Sequence, residues 1–311
     1  MAVRHADGAR HLPMINNRSG RPPVVVVGDV ATDVVVVLSD DPAPGSDRPA
    51  AIRSRGGGAG ANVAAHLARL GTAVVLAGCI GDDAAGAGLA AELAAAGVDL
   101  RLRTVPGAAT GTIVSLVEPG GQRSMLADRG ANLALRPDDV PAPVPGGHLH
   151  LSGYTLLDPG PRAGGLAALD AALAAGCTVS VDPASTGPLG RYGVDRWLAD
   201  TAAATLLLPN SDEARLLTGC ADPADAARAL ARRHRIVAVS LGADGALWAS
   251  GDLLVHRPAH PTEVVDTTGA GDAFAAGLLT AWLASPGADP AETLDAGLAR
   301  AAAVVRQPGA R

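Results

Sequence analysis

Residues 263–277 read EVVDTTGAGDAFAAG. Small residues at positions 269–271 lead directly into an Ala- and Leu-rich run, which predicts a helix over Ala270–Ala284. A helix N-terminus exposes unpaired N–H groups and carries partial positive charge, and glycine lets a ligand approach the backbone closely. Gly269, Ala270 and Gly271 therefore predict an anion hole that needs no lysine.

Asp272 falls in the first turn of this predicted helix, beside the anion hole. A carboxylate there can take a proton from an attacking hydroxyl group while the hole stabilises charge on a transferring phosphoryl group. An isolated Gly-Ala-Gly-Asp is explained equally well by a carboxylate that interacts with the helix dipole. Other features of the sequence are needed to distinguish a catalytic base from a carboxylate that only stabilises its helix.

The 25 basic residues of this 311-residue chain are all arginine. Without lysine, a GxxxxGK[ST] phosphate loop cannot form, because that motif needs a lysine to reach the phosphates. Lysine Schiff-base enzymes and protein kinases are excluded for the same reason. A nucleotide would have to be bound by backbone N–H groups and arginines.

The overall composition favours a globular protein that binds a small molecule. Hydrophobic residues make up 48% of the chain, which is enough for a core. Aromatic residues are only 2% and the net charge is -6, whereas nucleic-acid binding relies on basic grooves and aromatic faces. No run of 18 or more apolar residues predicts a membrane span.

The cysteines and the N-terminus predict a cytoplasmic protein. Cys79, Cys177 and Cys220 are odd in number and widely spaced, which favours neither a disulfide framework nor a zinc site. Residues 1–22 lack the apolar core of a signal peptide and predict a flexible extension, with Met1 or Met14 as alternative starts.

Residues 23–311 predict one α/β domain, in which apolar strands alternate with helices from residue 148 onward. Such alternation is typical of a mostly parallel sheet with helices on both faces. Further β-segments, drawn from about 34–54 and 98–127, interrupt this order and predict a small attached sheet. The strands predicted from residue 148 to residue 240 are His148–Ser152, Thr178–Val181, Thr205–Leu208 and Ile236–Ser240.

Four further segments accompany residues 263–277 in a fixed order along the chain. GDVATD (28–33) follows the first strand, GGGAGAN (56–62) opens a helix, PNSDE (209–213) follows a strand, and SLGADG (240–245) follows another. Together with DTTGAGDAF, they resemble the signatures of the ribokinase-like, or PfkB-type, carbohydrate kinases. The resemblance extends from about Val24 to the C-terminus.

The resemblance implies a three-layer α/β/α body with a small β-sheet lid. It implies ATP-dependent, Mg²⁺-requiring phosphorylation of a hydroxyl group on a sugar or sugar-like molecule. Asp272 would be the general base, and the amides of Gly269, Ala270 and Gly271 would form the anion hole. A homodimer paired through the lid, and activation by K⁺ near Asp266, are further expectations of the same likeness.

The resemblance also assigns the binding residues. The substrate-contacting set would be Asp29, Asp33, Gly57, Gly58 and Asn62. The nucleotide-contacting set would be Asn210, Ser240, Gly242, Gly245 and Thr268. Asn210 and Glu213 would organise Mg²⁺, mainly through water.

Departures from the family pattern affect the substrate. Ribokinases proper often carry Lys where this chain has Ala59, and Asn where it has Ala31, so ribose itself is not singled out. Pro183-Ala184-Ser185 lacks the Asn and Arg that many relatives place there. Sugars, sugar acids, sugar phosphates and nucleosides all stay open as substrates, as does a binding protein without turnover.

Other patterns have simpler interpretations. Gly56-x-Gly58-x-x-Ala61 fits a dinucleotide fingerprint but does not follow the first strand. His148 and His150 alternate on a strand without a third metal ligand nearby, which favours packing roles. Asp182 ends a strand, where ligands gather in α/β proteins, and so is a further candidate for contact with Mg²⁺ or phosphate.

Overall fold

The computed structural model describes residues 21–39, 45, 47, 49–119, 122–307 and 309–311. Residues 1–20 of the predicted N-terminal extension lie outside the described residues, as do residues 40–44, 46 and 48 within the range predicted for the small sheet. Within the described part of the chain, no helix has the length and apolar character needed to cross a bilayer.

Thirteen strands form in the described residues, mostly where Val, Leu and Ile are concentrated. They are β1 (Val24–Val27), β2 (Ala31–Leu38), β3 (Ala50–Gly57), β4 (Val74–Gly81), β5 (Asp99–Val105), β6 (Gly111–Val117), β7 (Arg123–Asp128), β8 (His148–Ser152), β9 (Thr178–Asp182), β10 (Leu206–Leu207), β11 (Ile236–Ser240), β12 (Ala246–Ser250) and β13 (Leu253–Arg257).

The strands make two sheets. The large sheet has the order β13-β12-β11-β10-β9-β8-β1-β4-β5 and is parallel except at β12 and β13. The small sheet has the order β3-β2-β6-β7, in which only β2 and β6 run parallel. Because β2 follows β1 directly, the small sheet rises from the carboxyl edge of the large one.

Ten α-helices are formed by the described residues. They are α1 (Ala59–Arg69), α2 (Ala84–Ala95), α3 (Tyr154–Leu157), α4 (Pro159–Ala174), α5 (Thr186–Tyr192), α6 (Val194–Asp200), α7 (Ser211–Thr218), α8 (Pro223–Ala231), α9 (Ala270–Ala284) and α10 (Pro290–Val304).

Two hydrophobic clusters lie on opposite faces of the large sheet. One packs α3, α4, α6, α7 and α8 against it, with Trp197 fully buried. The other packs α1, α2, α9 and α10, with Phe274 and Leu279 among its buried residues. Consecutive residues of β1 contribute to both clusters, as expected for a strand buried on both faces. The three-layer α/β/α body and the separate small sheet are therefore confirmed.

One part of the predicted small sheet is wrong. Residues 99–105 form β5, which pairs in parallel with β4 at the edge of the large sheet. Because α2 connects β4 to β5, the two strands form a strand–helix–strand unit and must run in the same direction. The other predicted range, about 34–54, does belong to the small sheet: Ala50–Gly57 pairs with β2 over its whole length and extends this range to Gly57.

Candidate active site

The predicted anion hole lies at the start of α9. Gly269 precedes the helix with φ 74°, a conformation that favours glycine. The N–H group of Ala270 donates to the Thr267 carbonyl at 3.2 Å, so this amide is used within the turn. The N–H groups of Gly271 and Asp272 follow in the first turn, where no intrahelical acceptor is within reach. Gly271 lines two cavities next to this turn, which are described below.

Asp272 meets the other glycine-rich segment at this point. Asn62, in the first turn of α1, donates from Nδ2 to Asp272 Oδ2 at 2.8 Å. Burial raises the pKa of Asp272 to about 8; the Asn62 hydrogen bond opposes this shift, and repulsion from Asp182 and Asp33 adds to it. A carboxyl group with such a pKa is a stronger base than an ordinary aspartate once it is ionised.

Asp33 and the end of β3 form the wall beside Asp272. Gly57 pairs with Ala31 in the sheet. A Cβ atom at Gly57 would overlap the Asp33 carboxyl group, so only glycine lets the Asp33 carboxyl group lie this close to the backbone of β3. Burial raises the pKa of Asp33 to about 6. Asp33 Oδ1 and Asn62 Oδ1 are buried without hydrogen-bond partners. Two acceptors are therefore open for donors from a ligand.

Gly58 follows the last residue of β3 and is the N-cap residue of α1, where no side chain caps the helix. Its carbonyl accepts the N–H group of Asn62 at 2.9 Å, which fixes Asn62 in the first turn. Gly58 therefore acts here through its backbone.

Asp29, which follows β1, forms an ion pair with Arg129. Its two carboxylate oxygens accept from Arg129 Nε and Nη2 at 3.0 and 2.7 Å. Arg129 also donates to the Tyr154 carbonyl and to Asp158. This buried ion pair joins the lid to the body, and contact of Asp29 with a substrate stays a prediction.

A cavity of about 170 Å³ opens on the other side of Asp272. Asn210 and Glu213 line it and form the capping box of α7, with reciprocal 2.9 Å hydrogen bonds. Asp182, at the end of β9, lines it too. Burial raises the pKa values of both Asp182 and Glu213, and repulsion from Asp182 raises that of Glu213 further.

This oxygen-rich donor set fits Mg²⁺. Two buried carboxyl groups that repel each other would be stabilised by a divalent cation, and Mg²⁺ commonly takes one or two carboxylates and completes its shell with water and phosphate oxygens. Within the described residues, no cluster of three or more acidic, His or Cys side chains forms a complete metal cage. The fit is therefore to a cation shared with a phosphate ligand.

The loop after β9 stores backbone strain beside this cavity. Ala184 lines the cavity with φ 79°, the one non-glycine residue in the left-handed region among those described, and its N–H group donates to Asp182 Oδ1 at 2.6 Å. We expect Ala184→Gly to raise the free energy of unfolding by about 1 kcal/mol, since the left-handed penalty is removed. Urea unfolding measures it.

The matched control for Ala184→Gly is Ala94→Gly in α2, at an exposed helical position. This substitution should lower the free energy of unfolding by about 1 kcal/mol, because glycine costs entropy in a right-handed helix. A loss of stability in both variants would contradict the strain at Ala184.

A larger pocket of about 590 Å³ adjoins the first cavity. Both are lined by Ser240, Gly271 and Phe274, so the two cavities lie next to each other. Gly242 and Gly245 line the larger pocket, and their contact with a nucleotide stays a prediction. No sequence motif marks most of its apolar wall, which consists of Ala259, Pro261, Val264, Leu298, Ala301, Ala302 and Val305.

Thr268 does not line either space. Its N–H and hydroxyl groups both donate to Asp266 Oδ1, at 2.9 and 2.7 Å, and the neighbouring Thr267 lines the larger pocket instead. Asp266 Oδ2 accepts the N–H group of Gly309 at 2.9 Å. Asp266 thus ties the loop before α9 to the C-terminal residues, and a role in cation binding stays a prediction.

The simpler interpretations hold for the histidines. His148 and His150 are buried in β8 and bond to Ser180 on the neighbouring strand. Gly56–Ala61 connects the small sheet to α1, so it is not the first strand–helix turn of a dinucleotide fold. The three tryptophans, Trp197, Trp248 and Trp282, are all buried in the core and offer no surface for stacking a base.

The comparisons with known proteins agree with this geometry. Residues 22–311 match the pfkB family of carbohydrate kinases. An ATP-dependent ribose-1-phosphate kinase from Halopiger xanaduensis is 36% identical over 84% of this chain and 84% of its own length. A fructokinase from Klebsiella pneumoniae is 35% identical over 72% of this chain and 75% of its length.

A solved structure gives the same result. Aminoimidazole riboside kinase from Salmonella enterica, complexed with aminoimidazole riboside and an ATP analog, superposes with a TM-score of 0.80. It is 30% identical and covers 93% of this chain and 95% of its own. The chain therefore belongs to the pfkB family of carbohydrate kinases, phosphotransferases whose acceptor is a sugar hydroxyl group.

Proposed function

We propose that this kinase transfers the γ-phosphoryl group of ATP to a hydroxyl group of a sugar or sugar-like small molecule, with Asp272 as the general base. The observation that carries the proposal is the position of Asp272. It lies between the open acceptors Asp33 and Asn62 on one side and the cavity lined by Glu213 and Gly271 on the other. A substrate hydroxyl group bound beside Asp33 and Asn62 would therefore face a phosphoryl group bound in the cavity beside Glu213 and Gly271.

The nucleotide would lie in the 590 Å³ pocket, with its phosphates directed toward the start of α9. The first-turn amides of α9 would bind oxygens of the transferring group, where negative charge develops. Mg²⁺ held near Glu213, Asn210 and Asp182 would neutralise phosphate charge. With its base aligned, the acceptor hydroxyl can attack in line.

The acceptor is identified by a coupled ADP-release assay with Mg²⁺-ATP. The panel contains sugars, sugar acids, sugar phosphates and nucleosides, each with and without K⁺. The panel includes ribose-1-phosphate, fructose and aminoimidazole riboside, because these are the substrates given in the names of the three relatives described above. A nucleoside acceptor is the alternative, favoured by the Salmonella enterica complex. ADP release that no acceptor increases would contradict the proposal.

The pH dependence of the reaction follows from the environment of Asp272. Only the ionised carboxylate can accept a proton, and burial raises its pKa to about 8. We therefore expect kcat/KM for the acceptor to rise from pH 6 to about pH 9, with its half-maximal value near pH 8, and to level off above that range. Initial rates at saturating ATP, with coupling enzymes in excess at every pH, measure it; a flat profile would contradict a buried base.

The lid and the cation site complete the proposal. Ile52, Met125 and Leu126 of the small sheet are each at least 60% exposed. Pairing of two lids in a homodimer would cover such apolar groups. K⁺ activation through Asp266 likewise stays a prediction, which the K⁺ arm of the assay tests.

A further inference from the structure

The last described residues fold back beneath the active site. His66 Nδ1 accepts from Arg300 at 2.9 Å, so its proton lies on Nε2, which donates to the Ala310 carbonyl at 2.9 Å. Burial lowers the pKa of His66 to about 4, so the ring is neutral here. Ala310 lies directly against Gly269, where an added Cβ atom would come within 2.6 Å of the Ala310 Cα atom. The C-terminal segment is thus held under the anion hole.

Arg311 extends from this segment toward the acceptor side. Its side chain is 3% exposed, and its Nη2 donates to the Gly57 carbonyl at 3.4 Å. The guanidinium occupies the space that a side chain at Gly56 would need. Nε and Nη1 have no hydrogen-bond partner, and the Glu92 carboxylate stays 3.8 Å away. Burial of a guanidinium with so few hydrogen bonds lowers the stability of the fold. We therefore expect the buried charge of Arg311 to have a role in the active site.

The charges around Arg311 come from four elements. Asp33 of β2, Asp272 of α9 and Glu92 of α2 attract it, and Arg69 of α1 repels it. Burial raises the pKa values of Asp33 and Asp272, and the charge of Arg311 lowers both of them again. For Asp33, Arg311 is the main influence that opposes burial, whereas repulsion from Asp266, in the loop before α9, raises the pKa of Asp33 further.

We propose that Arg311 is a positioning residue of the acceptor site, which fixes the carbonyl of Gly57 and keeps Asp33 in the charged form that accepts hydrogen bonds from substrate hydroxyls. This inference rests on the proposed function, because it assigns Asp33 to the acceptor. Arg311 does not touch the reacting atoms. Its effect is carried by charge and by the shape of the strand end at Gly56–Gly57.

The test compares Arg311→Gln, which removes the charge, with Arg311→Lys, which keeps it. Arg101→Gln is the matched control, since Arg101 forms an ion pair with Asp99 on β5, away from the site. Carbon NMR of ¹³C-carboxyl-aspartate protein gives the titration of Asp33, assigned with Asp33→Asn. This readout needs no substrate. Thermal unfolding of each variant shows whether it is folded.

We expect the Asp33 midpoint to rise by about one pH unit in Arg311→Gln, a tenfold change in the equilibrium, and by less in Arg311→Lys. The acceptor KM at pH 7 should rise about twofold in Arg311→Gln, because the ionised fraction of Asp33 falls to about one half, and it should recover at pH 9, with kcat less affected. Arg101→Gln should match the wild type in both measurements.

Two outcomes would overturn the inference. One is an unchanged Asp33 titration in folded Arg311→Gln. The other is an activity loss that is the same at every pH, which would indicate a structural role only. Failure of the proposed function is separate: it would appear as wild-type protein that is silent with every acceptor, or as an Asp272→Asn variant that turns over normally.

Discussion

Asp272→Asn should lower kcat by about three orders of magnitude while the variant still binds its acceptor and ATP. General-base catalysis contributes roughly 10²- to 10⁴-fold to such reactions. Asparagine keeps the shape of the side chain, and its amide oxygen can still accept from Asn62, so the loss comes from the missing base. Single-turnover rates measure the chemical step, and isothermal titration measures binding.

Stability distinguishes a base from a simple helix-terminus carboxylate. Because the folded pKa of Asp272 is about 8, above its unfolded value of 3.8, its contribution to stability is complete below pH 4 and is lost as pH rises toward 8. Asp272→Asn should therefore be more stable than the wild type at pH 9, and the difference between the two should shrink as pH falls toward 4.

The control for Asp272→Asn is Asp225→Asn, an exposed first-turn carboxylate of α8. It should leave kcat unchanged and lower stability slightly, as loss of a favourable dipole interaction predicts. If Asp272→Asn behaves in the same way, Asp272 only stabilises its helix.

Gly269→Ala should have the second largest effect. The residue has φ 74°, and an added Cβ atom would come within 2.6 Å of Ala310, whose backbone is held by His66. Either the start of α9 or the C-terminal segment must shift. Displacement of oxyanion-type donors costs about 10²- to 10³-fold in kcat, and we expect that range here.

Gly269→Ala should also lower the unfolding temperature, because alanine is strained at positive φ. Gly88→Ala is the control, since Gly88 lies in α2 with no other atoms within 4 Å of an added Cβ. It should be neutral or slightly stabilising. A Gly269→Ala variant with wild-type kcat would show that the precise start of α9 is not needed.

The sequence predicted the parts of the site that depend on local backbone patterns. Gly269–Asp272 at the start of a helix and Asn62 in the first turn of α1 follow from the glycines and the apolar runs beside them. Their meeting across 210 residues does not follow from local pattern, although the resemblance to the family implied it. The alternation of strands and helices similarly predicted the sheet.

The sequence could not predict which polar groups are already paired. Asp29 looked as available as Asp33, yet its position opposite Arg129 depends on where the lid meets the body. Thr268 turns toward Asp266 because of the loop conformation, and Arg311 reaches Gly57 only through tertiary packing. The apolar residues of α10 that line the larger pocket form no recognisable motif, because many different apolar residues could form the same wall.

The most direct test of the central claim follows the γ-phosphoryl group itself, with [γ-³²P]ATP, Mg²⁺ and the acceptor panel. The labelled product is isolated for the wild type and for Asp272→Asn. We predict a labelled sugar-type phosphate ester in the wild type and at least a hundredfold slower formation in Asp272→Asn. Labelled inorganic phosphate without a labelled ester, or equal rates in the two proteins, would contradict phosphoryl transfer with Asp272 as the base.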